Sequence, residues 1–277
     1  MKPPAFDYVR ADSVEEALAA LAAADGEARV LAGGQSLGPM LNLRLAMPEV
    51  VVDIGHIPDF AGVSWEGAAV SVRAGTSQAA LLADPALADR QPLLAAAMPW
   101  IGHVQTRARG TVCGSLAHAD PAAELPLLFA VLGGMATIRS AAGARDVPAD
   151  AFFAGMFETA LAADEMLVSV RFDAPRPSAG VAFREVAERH GDFAIVAAAA
   201  VADGAGVTLG LGGVSDRPVV MRWPGLAVGD AQAAVDALAD GLDPLSDPRA
   251  DADYRRWLVR GVGLETVRQA MERRDAV

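Results

Sequence analysis

Apolar residues recur at helical spacing near the start of the chain, where Val14, Ala17, Leu18, Leu21 and Ala22 fall on one face. Ser13 and Glu16 stand ahead of this stripe at capping-box spacing, and Gly26 follows it, so a first helix is predicted between them. Val30-Leu31-Ala32 is a short apolar run that ends in Gly33-Gly34, and Val50 to Ile54 is another that ends in Gly55. Both read as buried strands. A helix between strands, with a glycine turn after a strand, predicts a small α/β unit over residues 1–55.

The period then changes. Gly62 to Trp65 and Ala69 to Ala74 alternate around a Glu66-Gly67 turn and predict a hairpin. Ser77 to Leu82, Pro92 to Met98 and Pro121 to Leu132 read as helices, and Met135 to Arg139 and Met166 to Phe172 as strands. Residues 56–174 thus form a mixed second unit, and 1–174 together one domain. Pro175-Arg176-Pro177-Ser178 reads as a linker. In 179–277 the strands come first (Val181 to Val186, Phe193 to Val201, Val207 to Leu211, with a turn at Asp203-Gly204). Two helices follow, Asp230 to Leu242 and Tyr254 to Arg273. The fold class is α+β: two subdomains and a small C-terminal α+β domain.

Composition narrows the picture. The chain has 277 residues, 53% hydrophobic but only 5% aromatic, and its mean hydropathy is +0.29, so a membrane span has to be examined. The most apolar runs, Phe193 to Ala202 and Leu125 to Ile138, are cut short by Asp192 and Asp203, or by Pro126, Gly133 and Gly134. Neither reaches the roughly 20 apolar residues of a spanning helix. Met1-Lys2-Pro3-Pro4 opens no apolar leader, so a cytoplasmic location is expected. A net charge of −12 argues against a nucleic-acid partner. Cys113 is the only cysteine, so this chain alone can build neither an internal disulfide nor a four-thiolate iron–sulfur or zinc site. If it handles electrons, it does so with an organic cofactor, or it receives them from another subunit.

Two segments concentrate chemistry. In Ala32-Gly33-Gly34-Gln35-Ser36-Leu37, directly after a strand, paired glycines permit positive φ and close backbone approach. Their N–H groups and the Ser36 hydroxyl could cradle a diphosphate, or the segment could be a plain tight turn. It lacks the G-x-G-x-x-G of a Rossmann loop. The second segment, Arg107 to Glu124, packs Gly110, Thr111, Cys113, Gly114 and Ser115 into one stretch, with room for a flat ligand or for a solvated connection. Other readings use the same residues. Ser115, His118 and Asp120 have the composition of a hydrolase triad, His118 and Asp120 with His103 that of a metal site, and Cys113 could be a reactive thiol or a small buried hydrophobe. Arg184, Glu185, Glu188 and Arg189 read most simply as a solvated face, with Arg184 able to reach a cofactor.

Taken together, four segments resemble the FAD-binding medium subunit of the xanthine dehydrogenase and carbon monoxide dehydrogenase family of molybdenum hydroxylases, over nearly the whole chain. They are Ala32 to Leu37, Pro48 to Ile54, Arg107 to Glu124, and Gly191-Asp192-Phe193-Ala194. The resemblance implies a vanillyl-alcohol-oxidase-like (PCMH-type) FAD domain followed by a smaller C-terminal domain. It implies that FAD is held by Val30, Leu31, Ala32, Gly33, Gly34, Gln35, Ser36 and Leu37 on one side. Thr111, Val112, Cys113, Gly114 and Ser115 hold it on the other. Glu124, Leu167, Arg184 and Ile101, the last near the flavin, line the site further out. Ala108 stands where many relatives carry Asn, Cys113-Gly114 where many carry Gly-Gly, and Arg184 where some carry Lys. No catalytic base and no metal ligand is expected here. The resemblance further implies a small subunit with two [2Fe–2S] clusters and a large subunit with the molybdenum cofactor, assembled as a dimer of heterotrimers. In such an assembly the FAD passes electrons to an external acceptor; a stand-alone FAD oxidase or reductase on the same fold is the alternative.

Overall fold

The computed structural model describes residues 2–276. The first unit is wound from β1 (Asp7–Arg10), α1 (Val14–Ala23), β2 (Ala28–Leu31), α2 (Leu37–Leu43) and β3 (Val50–Asp53), with the three strands parallel in the order β1-β3-β2. The Ser13 hydroxyl accepts from Glu16 N–H at 3.1 Å, and the Glu16 carboxylate accepts in return from Asp12 N–H at 2.8 Å. The predicted cap is there, closed one residue earlier than the usual box.

The second unit runs through β4 (Val63–Glu66), β5 (Ala69–Arg73), α3 (Gln78–Leu82), α4 (Leu87–Arg90), α5 (Pro92–Ala97), α6 (Val104–Arg109), α7 (Val112–His118) and α8 (Glu124–Leu132). It continues with β6 (Gly134–Ser140), β7 (Gly143–Pro148), α9 (Ala149–Phe152), β8 (Phe153–Gly155), β9 (Glu158–Thr159) and β10 (Met166–Phe172). Its sheet is antiparallel, in the order β4-β5-β10-β6-β7. A core of α1, β5, β10, α5, α7 and α8 side chains, with Phe129, Phe152 and Phe172 fully buried, joins the two units.

The C-terminal part is an antiparallel sheet of β11 (Gly180–Val186), β12 (Val196–Asp203), β13 (Gly206–Gly212) and β14 (Val219–Pro224), then α10 (Ala231–Gly241), α11 (Ala252–Leu258) and α12 (Leu264–Asp275). This sheet is covered on both faces. Ala197 and Ala199 join the core built on α8, whereas Val196, Ala198, Ala200 and Ala202 join the core built on α10 and α12. Double coverage is why β12 reads as an unbroken apolar run and not an alternating one. Close packing sets the spacing: a Cβ on Gly210 would stand 2.1 Å from Val131 of α8, and one on Gly180 would stand 1.9 Å from the Ala270 carbonyl oxygen of α12.

Several expectations need correction. The edge strands β1, β7 and β14 were not predicted, because β1 and β7 are mostly exposed, β14 is half-buried, and none carries a clean apolar alternation. The helix expected from Pro121 begins at Glu124, since Asp120 holds a turn there, accepting from Ala122 N–H at 2.9 Å. Phe193, expected inside a strand, lies before β12 and is 57% exposed. The Arg107 to Glu124 stretch, one reading of which was a solvated connection, contains the end of α6 and all of α7. The helix expected over Tyr254 to Arg273 is α11 and α12 joined by a π turn at Val259–Gly263. Among the described residues no helix is long and apolar enough to cross a membrane.

Candidate functional site

β2 ends at Leu31, and the chain turns through Ala32 and Gly33 to Gly34, where φ is +70°, before α2 begins at Leu37. Leu31 packs beneath this turn, 3.2 Å from where a Gly34 Cβ would be. Among the described residues, the N–H groups of Gly33, Gly34, Gln35, Ser36 and Leu37 donate to no backbone carbonyl. Consecutive N–H groups left free at a helix start form a concave donor surface suited to an anion.

The second segment comes up against the first. A Cβ on Gly33 would lie 2.1 Å from the carbonyl oxygen of Arg109 and 2.8 Å from Gly110 Cα, so the two backbones touch where only hydrogen fits. Gly110 and Val112 are stitched to the start of α3: Gln78 N–H donates to Gly110 O at 2.8 Å and Val112 N–H to Thr76 O at 3.1 Å. Thr76 is itself fixed by Gly62, accepting from its N–H at 2.8 Å and donating to its carbonyl at 3.0 Å. Thr111 caps α7, its hydroxyl accepting from Gly114 N–H at 2.9 Å. This scaffold holds the backbone of Cys113, Gly114 and Ser115 toward the first loop. A third segment, from the C-terminal part, meets the turn that leads into α6: Gly191, at φ +89°, leaves 2.7 Å between an added Cβ and the Gly102 carbonyl oxygen. That contact brings Asp192 and Phe193 to the rim of the cleft near Ile101.

The three segments enclose a cleft of about 1110 Å³. Val30, Ala32, Gly33, Gly34, Gln35, Ser36, Leu37, Ile101, Thr111, Cys113, Gly114, Ser115, Glu124 and Leu167 all line it. Leu31 and Val112 do not; Leu31 supports the turn and Val112 is wholly buried in the core. Arg184, expected to reach a cofactor, is not among the residues that line this cleft. Along β11, Val181 and Phe183 face the core of the first two units and Ala182 faces the C-terminal helices. Arg184 follows Ala182, and its guanidinium pairs with Glu265 of α12 at 2.9 Å. The charged run from Arg184 to Arg189 is not a uniformly solvated face either, because both carboxylate oxygens of Glu185 are buried without a partner.

The wall is acidic and carries its anion-binding capacity in the backbone. Glu124 is 6% exposed; burial, with Asp120 adding to it, raises its pKa to about 7. Outside the cleft, in a pocket beside Trp100, Glu185 is raised to about 8, by burial first and then by the charge of Glu124. His118 is lowered by burial against the attraction of Asp120, and its ring packs on Phe157 at 5.1 Å. Cys113 turns its thiol into the core toward the Val72 carbonyl at 3.6 Å, where burial pushes its pKa up and leaves it a poor nucleophile. Among the described residues no three His, Cys, Asp or Glu side chains are grouped to hold a metal. Phe157, Asp192 and Phe193 line the cleft but were not singled out as site residues from the sequence. For Phe193 a signal existed in the Gly191-Asp192 turn before it; for Phe157, held at φ +58°, there was none.

A dinucleotide fits these features. The free N–H run and the hydroxyls of Ser36 and Ser115 suit a diphosphate without a lysine, and a cleft of this volume lined from both units has room for the rest of such a ligand.

Residues 4–175 match the sequence family described as FAD binding domain in molybdopterin dehydrogenase. The 6-hydroxypseudooxynicotine dehydrogenase complex subunit alpha of Paenarthrobacter nicotinovorans is 37% identical, the match covering 99% of this chain and 97% of that protein. The structure of the carbon monoxide dehydrogenase of Hydrogenophaga pseudoflava, in a form lacking the Mo-pyranopterin moiety of the molybdenum cofactor, contains a chain that superposes with a TM-score of 0.92. That chain is 34% identical, and 99% of each chain is covered. A chain of quinoline 2-oxidoreductase from Pseudomonas putida 86 superposes with a TM-score of 0.90 at 34% identity, covering 98% of this chain and 99% of that one.

Proposed function

This chain belongs to the family of FAD binding domains in molybdopterin dehydrogenase, and from that premise we propose that it is the FAD-carrying medium subunit of a molybdenum hydroxylase, relaying electrons from a partner's iron–sulfur clusters to an external acceptor. The observation that carries the reading is the backbone contact of Gly33 with Arg109, which closes a donor-lined cleft around a dinucleotide-sized space. The N–H groups from Gly33 to Leu37 hold the diphosphate, and Thr111 to Ser115 close on it from the other side, with the Ser115 hydroxyl as a donor. Glu124 accepts from a hydroxyl of the ligand, and Ile101, Leu167 and Phe193 bound its flat end. When bound, FAD supplies two-electron redox chemistry, and the chain contributes binding, orientation and electrostatic tuning.

The partners are a small subunit with two [2Fe–2S] clusters and a large subunit with the molybdenum cofactor, in a dimer of heterotrimers within the cytoplasm. The names of similar proteins, a carbon monoxide dehydrogenase medium chain among them, support such an assembly, and the single buried cysteine is consistent with clusters lying elsewhere. Residues 1–174 form the FAD domain, in subdomains 1–55 and 56–174, and 179–277 a C-terminal domain; the two-sided core around β12 supports that division.

Purification of the assembled complex tests the reading. The expected result is one FAD per copy of this chain, released on denaturation, with iron and molybdenum mapping to the other chains. Flavin mapping to another chain would overturn it.

A further inference from the structure

One aromatic side chain on the cleft takes no part in holding a diphosphate. β8 and β9 form a hairpin whose root is fixed in the core. Phe152 and Phe153 meet Phe129 edge-on there, and Ala160 N–H donates to Phe152 O at 2.8 Å. Gly155 pairs with Glu158, so Met156 and Phe157 are the two residues at the hairpin tip. Phe157 holds φ at +58°, at a position where tight turns take glycine or asparagine, and a bulky side chain is strained there. A bond to a second left-handed residue keeps it so: Phe157 N–H donates at 3.1 Å to the carbonyl of Ala119, which has φ +51° and follows α7. The ring is not buried in return. It is 51% exposed and lines the cleft, with one side on the His118 imidazole at 5.1 Å between ring centres. Burial lowers the pKa of His118, so that imidazole backs the phenyl ring without a charge at neutral pH.

We propose that Phe157 is a stacking platform for a planar ring of the bound dinucleotide. This rests on the FAD reading above. α7 sets the distance. Gly114 and Ser115, in its first turn, line the cleft opposite the loop that holds the diphosphate, and Phe157 is bonded to the residue after its last turn. The seven residues of α7 span about 10 Å, the reach of a sugar or ribityl chain from a diphosphate to its ring. A fused heteroaromatic ring is flat, so a phenyl ring held at a fixed tip meets it over a large area with few torsions left to freeze. Such stacking accepts any flat ring, and FAD offers two, the isoalloxazine and the adenine. The contact also accounts for the turn. Glycine at 157 would relax the backbone but remove the ring, and a local preference broken at a half-exposed position is the mark a ligand contact leaves in a sequence. Phe157 makes and breaks no bond; it is a positioning residue.

The test is calorimetric titration of FAD, FMN, ADP and inorganic pyrophosphate into the flavin-stripped full chain, for the wild type, Phe157→Leu and Phe157→Tyr. Leucine keeps the apolar bulk and the same backbone demand but has no ring face, and tyrosine keeps the ring. Phe157→Leu is expected to melt like the wild type without ligand and to bind FAD about tenfold more weakly, with Phe157→Tyr restoring the affinity. FMN shares the loss if the stacked ring is the isoalloxazine, and ADP shares it if the ring is the adenine. Pyrophosphate, which has no ring, binds wild type and variants alike. If the leucine variant does not fold, Phe157→Gly, which relaxes the turn, is read in its place. A wild-type chain that binds no FAD overturns the FAD reading and this proposal with it. FAD bound by the wild type, but with Kd unchanged in the variant, overturns the proposal alone. So does a loss that tyrosine does not restore, that pyrophosphate shares, or that neither FMN nor ADP shares.

Discussion

Gly33 and Arg109 touch through their backbones: a methyl group on Gly33 Cα would stand 2.1 Å from the Arg109 carbonyl oxygen. They lie 76 positions apart in the chain, yet their contact brings the two glycine-bearing segments into one cleft. Gly33→Ala therefore forces the loops apart, because the obstruction is backbone and cannot rotate away. Overpacking of this kind costs about 1–3 kcal/mol. The expected outcome is a folded, less stable protein without flavin. Stoichiometric flavin in that variant, by absorbance after denaturation, would show that the contact is not needed.

Thr111→Ala removes the cap of α7, whose hydroxyl bond to Gly114 N–H is 2.9 Å long. A loss of about 1 kcal/mol in stability is expected, with weaker FAD binding because Cys113 to Ser115 lose their anchor. Thr111→Ser keeps the cap and restores most of both. Chemical denaturation and FAD titration of the two variants check this; equal losses for Ala and Ser would point to the methyl group instead.

Ser115→Ala removes one hydroxyl from the cleft wall. A single neutral hydrogen bond contributes about 1 kcal/mol, so FAD affinity falls roughly fivefold while the fold is unchanged. An unaltered Kd takes Ser115 out of the site.

Arg184→Ala is the contrasting case. The side chain pairs with Glu265 away from the cleft and is 37% exposed, so the pair contributes about 0–1 kcal/mol. Flavin content and Kd are expected to match the wild type. A large loss of flavin would mean that Arg184 reaches the ligand in the assembled complex.

The pH dependence of stability follows from the raised carboxyls. Glu124 and Glu185 titrate from 4.5 when unperturbed, and at about 7 and about 8 in the folded chain. Between those limits the folded state binds more protons than the unfolded state, so stability must fall as pH rises from the unfolded pKa through the folded values. The FAD-free chain is expected to melt progressively lower from about pH 5 to about pH 8, and Glu185→Gln to flatten that fall. Melting curves with the same slope in both proteins would contradict it.

How much of this was legible in the sequence differs by feature. Ser13 and Glu16 announced α1, and the Gly33-Gly34 pair after an apolar run announced the first loop, because turn and cap chemistry is local. The second segment was read as chemically dense, but its helices α6 and α7 were not predicted, since each is a turn or two long, α6 held by α3 and the first loop and α7 by α8 and the second unit's strands. Glu185 was misread for a tertiary reason. β11 is covered on both faces, so a charged residue on it carries no mark of which side it faces until α5 and α12 are in place. Arg184 and Glu185 are neighbours in sequence, and strand alternation sends one to an ion pair with Glu265 and leaves the other with both carboxylate oxygens buried.

Equilibrium titration of FAD into the flavin-stripped chain, followed by quenching of flavin fluorescence, bears most directly on the central idea, with Gly33→Ala titrated in parallel. Saturation at one FAD per wild-type chain, with none bound by the folded variant, is the result the geometry predicts. Failure of the wild-type chain to bind, or equal binding by the two proteins, would contradict it.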